Sequence, residues 1–379
     1  MRAAIPRPSS PRRAILRAAP GLALTACVAW LGLSSSAWIG RDLLGFDKSP
    51  ISGIMMAIVI GLAIRNSVTL PDWFQPGIAL SLKAVLRLGI ILLGIRLSLG
   101  DVLRLGALGV PLIVLCIAGA MLVTGWLGRW LRLSDRLSTL IAVGTSICGA
   151  TAIVATGPAI EAREEELTYA VANITVFGIL AMLVYPLVSH GLFADNLTHA
   201  GLFLGTSIHE TAQVAGGGLI YAEMYDADKA LDVATVTKLV RNVLMALVIP
   251  LMAYVYQRRT QAARDAESRR KLRFLSLFPT FILGFILLAV VRSVGDATLD
   301  AGAAFGALDA ASWESLTGAV QTWAENFLAM AMAGVGLGTS FQQLRGLGLK
   351  PFYAGLAASL AVGALSVAGI LALSALGLS

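Results

Sequence analysis

Apolar residues run along this chain in long blocks. They fall at 19–36, 50–66, 76–98, 106–128, 138–160, 167–189, 199–223, 232–256, 275–292, 317–338 and 350–377. Most of these blocks are close to the ~20 residues a helix needs to cross a bilayer. A strand of a transmembrane barrel would alternate apolar and polar positions instead. Hydrocarbon offers no water to backbone N–H and C=O groups, so helices that close their own hydrogen bonds are predicted throughout. The pattern predicts an all-α polytopic membrane protein of about eleven transmembrane helices. Residues 19–379 form one transmembrane domain, preceded by a basic, Pro/Ser-rich tail at 1–18 read as disordered and cytoplasmic.

Two blocks depart from plain apolar character. Within 138–160, GTSICGATA (144–152) sets Gly144 and Gly149 around Thr145, Ser146 and Cys148. Within 199–223, GTSIHETAQVAGGG (205–218) places Thr206, Ser207, His209, Glu210 and Gln213 before three consecutive glycines. Glycine lowers helix stability by ~1 kcal/mol relative to alanine. Small residues in membrane helices most often serve packing. An acid at mid-span costs at least ~2.5–3.5 kcal/mol on insertion scales, so packing does not account for Glu210. Both blocks are therefore predicted to be interrupted helices. The N-terminal end of a half-helix carries about half a positive charge and suits anions, while unwound carbonyls suit cations.

Repetition supports the same architecture. The two GTSI motifs lie 61 residues and two blocks apart, which gives parallel copies unless both segments are re-entrant hairpins, and GIRLSLGDVLRLGALGVP (94–111) aligns without gaps with GVGLGTSFQQLRGLGLKP (334–351). The second pair is separated by an odd number of blocks, which gives its copies opposite orientation. Inverted repeats with interrupted helices are the pattern of secondary transporters.

Composition narrows the class further. Hydrophobic residues make up 57% and charged residues 13%, with a mean hydropathy of +0.80. That charged fraction is about half of what a soluble domain carries. The net charge of +7 sits in short loops and is no nucleic-acid footprint. Loops expected inside are basic, notably Arg129, Arg132, Arg136 and the stretch 257–274, whereas EAREEE (161–166) and YAEMYDADKALD (221–232) are acidic. The positive-inside rule then places the N-terminus in the cytoplasm and the C-terminus outside. Cys27, Cys116 and Cys148 have no metal-like spacing and read as packing residues. HETAQ lacks the second histidine of a zinc protease, and no nucleotide-binding loop or serine triad is present. No cofactor, metal or enzymatic activity is expected. His190 and His199 read as loop residues.

The eighth block supplies positive charge. Lys238 and Arg241 are three residues apart and share a helical face, with Asn242 beside them. The plainer reading pairs one of them with Glu210. Two cations against one nearby acid leave a surplus that suits a small anion. A further intramembrane acid, Glu325, lies with Asn326 in the tenth block, and Arg87 is a potential partner for either acid. Arg96 is near enough to a block end to snorkel toward the headgroups.

GTSICGATAIVATGPAI, HETAQVAGGG, TVTKLVRNVLM and GIRLSLGDVLRLG resemble the sulfate exporter family of bacterial inner-membrane proteins. The resemblance runs from about residue 20 to the C-terminus. It implies an inverted-repeat transporter related to the bile-acid/sodium symporter and sodium/proton antiporter folds. It also implies a site at Ser146, Cys148, Gly149, His209, Glu210, Gln213, Lys238 and Arg241. The family more commonly has aspartate where this chain has Glu210. The expected function is secondary transport of a small inorganic or organosulfur anion, coupled to protons or sodium, with Glu210 and His209 as the proton-linked element. The alternatives are a cation/proton antiporter using Glu210 and Glu325, and a non-transporting membrane receptor or membrane enzyme.

Overall fold

In a computed structural model of the chain, residues 11–43, 52–260, 280–299, 302–340 and 349–375 are described. Each apolar block carries helix. In chain order the helices are α1 (Pro11–Trp38), α2 (Gly53–Ser67), α3 (Gln75–Leu80), α4 (Leu86–Leu93), α5 (Leu99–Trp130), α6 (Asp135–Ser146) and α7 (Ala150–Thr156). They continue as α8 (Glu164–Phe193), α9 (Leu197–Ser207), α10 (Thr211–Tyr225), α11 (Asp228–Thr260), α12 (Phe281–Leu299), α13 (Ala310–Gly338) and α14 (Leu349–Ala375). Among the described residues there is no strand beyond an isolated bridge between Ala304 and Leu308.

Among the described residues, six stretches are long and apolar enough to cross a membrane: Leu16–Leu43, Asp72–Arg96, Leu99–Trp130, Glu164–Phe193, Phe281–Leu299 and Lys350–Ala375. The chain is a multi-pass membrane protein. α2 and the run Ala150–Ala159 are apolar but shorter.

Several local expectations shift. Residues 11–18, read as a disordered tail, belong to α1. Pro11 is favourable at a first helical position, and the Arg, Ala and Leu residues after it are strong helix formers. Residues 1–10, and the basic loop beyond Thr260 as far as 274, lie outside the described residues. His190 and His199 are helical rather than in a loop. His190 stacks flat on Tyr225 with 3.6 Å between ring centroids, and His199 lies under the Asn196 cap of α9.

The chain divides into two compact units, 1–89 with 326–340, and 90–325 with 341–379. In the first, α1 and α3 approach closely at two small residues. A Cβ on Gly21 would lie 2.1 Å from the Phe74 carbonyl oxygen, and one on Gly77 would lie 2.2 Å from that of Ala18. Close backbone approach of this kind is how helices associate in lipid, where the hydrophobic effect supplies no drive.

The second unit contains both interrupted blocks. Its best-packed pair is α9 on α11, again set by glycines. A Cβ on Gly201 would sit 2.6 Å from the Ala230 carbonyl oxygen, and one on Gly205 would sit 2.8 Å from that of Ala234. Leu202, Phe203, Tyr221 and Val233 fill the surrounding core.

Arg96 does not snorkel. Its side chain is 7% exposed and meets Asp232 at 2.8 Å, Asp228 at 3.0 Å and Glu325 at 3.4 Å. Asp232 is the most buried of these acids at 16% exposure, against 70% for Asp228 and 48% for Glu325. An exposed pair is worth about 0–1 kcal/mol. Glu325→Gln is therefore expected to leave the thermal midpoint of the detergent-solubilised protein nearly unchanged. Asp232→Asn is expected to lower it clearly, and equal effects would contradict this ranking.

Candidate functional site: the crossing of two interrupted helices

The break between α6 and α7 falls at Ile147, Cys148 and Gly149. Gly149 adopts φ 69° and ψ −129°, a conformation that only glycine takes without strain. A Cβ there would also come 3.3 Å from the Cβ of Glu210. Gly149→Ala is expected to cost about 1–3 kcal/mol, read as a drop in thermal midpoint.

The second break, between α9 and α10, falls at Ile208, His209 and Glu210, with Ile208 and Glu210 extended. Glu210 caps α10, and its N–H donates to Gln213 Oε1 at 3.2 Å. Gln213 Nε2 in turn donates to the Thr175 carbonyl of α8 at 3.3 Å. The two breaks meet at Gly149 and Glu210, so two interrupted helices cross.

An interrupted helix leaves its last carbonyls without intrahelical partners. Here both α6 and α9 end this way inside the protein, and α11 supplies the partners. Arg241 Nη2 donates to the Thr145 carbonyl at 2.5 Å and Nε to that of Ser146 at 2.7 Å. Its Nη1 donates to the carbonyls of Thr206 at 2.8 Å and Ile208 at 3.3 Å. Lys238 Nζ donates to the carbonyls of Ile147 at 3.0 Å, Ile208 at 3.1 Å and His209. Arg241 thus grips the threonine carbonyl of each GTSI motif, and Lys238 the isoleucine carbonyl of each. The repeated tetrapeptide marks two equivalent helix ends clamped by one pair of cations.

The GTSI hydroxyls play a smaller part than their position suggested. Thr145 Oγ1 donates to Ile141 O at 2.7 Å, Thr206 Oγ1 to Leu202 O at 2.7 Å, and Ser146 Oγ to Ala142 O. Ser207 Oγ is buried without a partner. Asn242 Nδ2 donates to Thr211 Oγ1 at 3.0 Å while its Oδ1 is buried without a partner among the described residues. Cys148 is buried at the break, among the groups that face Lys238 and Arg241.

Two site residues escaped the sequence reading. Ser359 Oγ is 2.6 Å from His209 Nε2, and Ser366 Oγ is 2.6 Å from Thr206 Oγ1. Both serines lie on α14, seven residues apart and hence on one helical face. That spacing was the available signal, hidden among the other small residues of the last apolar block.

Glu325 does not join the crossing. Glu325 and Asn326 are exposed, and Glu325 is engaged with Arg96. The other charged groups that face Glu325 are Asp228 and Glu223 rather than Glu210. Arg87 is exposed on α4 and falls in the first unit.

Glu210 is half-buried and faces Lys238. Among the described residues, Arg241 faces the thiols of Cys116 and Cys148 and no carboxylate. Arg241 and Lys238 are themselves 0% and 1% exposed. The crossing therefore concentrates two buried cations, one carboxylate, broken backbone and several unpaired polar atoms.

A family model described as conserved hypothetical protein 698 matches residues 20–355. The chain belongs to that family. Its relatives include a UPF0324 membrane protein of Corynebacterium glutamicum, 34% identical over 324 residues that cover 85% of this chain and 86% of the relative. A UPF0324 membrane protein of Yersinia pestis is 33% identical over 346 residues, 88% of this chain and 86% of its own. Another from Pseudomonas aeruginosa is 32% identical over 345 residues, 88% of each. The matched region of the conserved hypothetical protein 698 family contains both breaks, Lys238 and Arg241. It stops at residue 355, before Ser359 and Ser366.

Proposed function

We propose that this protein is a secondary transporter of a small oxyanion, sulfate or a related sulfur anion such as a sulfonate, bound at the crossing of the interrupted helices. The charge count at the crossing carries the reading. The carbonyl ends of α6 and α9 engage Lys238 and Arg241 through dipoles rather than through a full negative charge. By residue type, two basic side chains, Lys238 and Arg241, stand against one acid, Glu210. A buried uncompensated charge is costly, so the site stands ready for an anionic ligand.

Lys238 already spends its three donors on carbonyls, and so acts on the ligand through its charge. Among the described residues, Arg241 uses four of its five N–H donors on carbonyls, and the fifth would serve for direct contact. The resemblance to sulfate exporters and the repeat of 94–111 at 334–351 support an inverted-repeat transporter of about eleven spans. Its setting would be the bacterial inner membrane, with the N-terminus cytoplasmic, the C-terminus outside and export as the direction of transport. Coupling would be to protons or sodium. The competing cation/proton antiporter needs Glu210 and Glu325 at one site, and Glu325 faces Arg96 instead.

Proteoliposomes loaded with labelled sulfate test the reading. Efflux should exceed that from protein-free vesicles and fall when unlabelled sulfate or a sulfonate is added to the lumen. Efflux equal to that of empty vesicles, for sulfate and for a labelled sulfonate, would reject it.

A further inference from the structure

We infer that Glu210 sets the charge of the ligand: with its carboxylate ionised the crossing takes a monoanion, and with that carboxylate protonated it takes a dianion together with one proton. The inference rests on the oxyanion reading and specifies which species binds. Two cations against an ionised Glu210 leave one positive charge, which a sulfonate matches. Two cations against a neutral Glu210 leave two, which sulfate matches. The proton passes from the buffer's acid form through solvent onto a carboxylate oxygen of Glu210 as the dianion binds, and it returns to the buffer's base form when the dianion leaves.

Glu210 is suited to this exchange, and its neighbours are not. It is half-buried at the N-terminal end of α10, whereas His209 is 0% exposed. The His209 ring is held by Ser359, and its carbonyl is held by Lys238. The charged and titratable groups near Glu210 are few. α11 presents Lys238, with Arg241 behind it, and the α6–α7 break presents Cys148. His209 adjoins it in the chain. α8 contributes the neutral Thr175 carbonyl, bonded to Gln213. No second carboxylate among these neighbours shares the proton.

Calorimetric titration of the purified full-length protein, repeated in buffers of different ionisation enthalpy, reads the protons taken up per ligand. Near neutral pH, sodium sulfate should bind with uptake of about one proton, and sodium methanesulfonate with about none. Sulfate affinity should fall about tenfold per pH unit as the pH rises, the slope that linkage to one proton requires. Glu210→Gln should still bind sulfate, now without proton uptake or pH dependence, and Glu210→Asp should retain the uptake. Sulfate binding to the wild type without proton uptake, or uptake that persists in Glu210→Gln, would overturn the inference and leave the oxyanion site standing. Loss of sulfate binding in Glu210→Gln would also overturn it, since glutamine mimics the protonated acid. Failure of the wild type to bind either anion would reject both the inference and the oxyanion site.

Discussion

Arg241→Ala is expected to be among the most damaging single substitutions in this protein. The guanidinium closes four backbone carbonyls at the ends of two helices that stop inside the protein. Removing it strips both ends of their partners and leaves Lys238 to hold the crossing alone. Breaking a buried ionic arrangement by deleting one member costs on the order of 3–5 kcal/mol. The measurement is the thermal midpoint of the detergent-solubilised protein, together with the fraction that elutes as a single species. Arg241→Lys should recover little, because a point ammonium cannot reach the four acceptors that a planar fork spans. A midpoint within a degree or two of wild type for Arg241→Ala would contradict the clamp.

Gly205→Val is expected to have the next largest effect, by a different route. The added side chain meets the Ala234 carbonyl oxygen at 2.8 Å and the Thr237 Cβ at 2.7 Å, and a backbone atom cannot yield as a flexible side chain does. α9 must therefore shift away from α11. Overpacking of this kind costs about 1–3 kcal/mol in a core. Here the shift also moves the Thr206 and Ile208 carbonyls away from Arg241. Loss of folded yield is expected, and it should be worse than for Gly125→Val, since a Cβ on Gly125 meets nothing within 4 Å. Equal yields of the two variants would show that α9 and α11 do not pack as described.

These two residues show where sequence reasoning reached the site and where it stopped. The spacing of Lys238 and Arg241, and the acid in HETAQ, were legible because charge in an apolar block is expensive and demands a reason. The two breaks were legible from glycine and polar residues placed together. The primary partner of the cations was not. Backbone carbonyls carry no sequence signal, and the repeated Thr and Ile act through their main chain while the threonine hydroxyls turn back onto their own helices. Ser359 and Ser366 were missed because serine in a membrane helix is usually a packing residue.

The outer acids were misjudged for a related reason. Arg96, Asp232 and Glu325 are far apart in sequence, and block boundaries alone suggested snorkelling and a second buried acid. The fold instead draws Asp228, Asp232 and Glu325 around one arginine. Pairing between distant helices is set by how the helices pack, which periodicity within each block does not encode.

The central claim, a small oxyanion bound where the two interrupted helices cross, is tested most directly by locating the ion. Crystals or frozen grids of the purified protein prepared with selenate, a heavier dianion of the same shape as sulfate, would reveal it, in crystals through the anomalous signal of selenium. The expected result is a single strong peak at the crossing beside Arg241, abolished by excess sulfate. A crossing without selenate at saturating concentration, or a peak confined to surface arginines, would contradict the account.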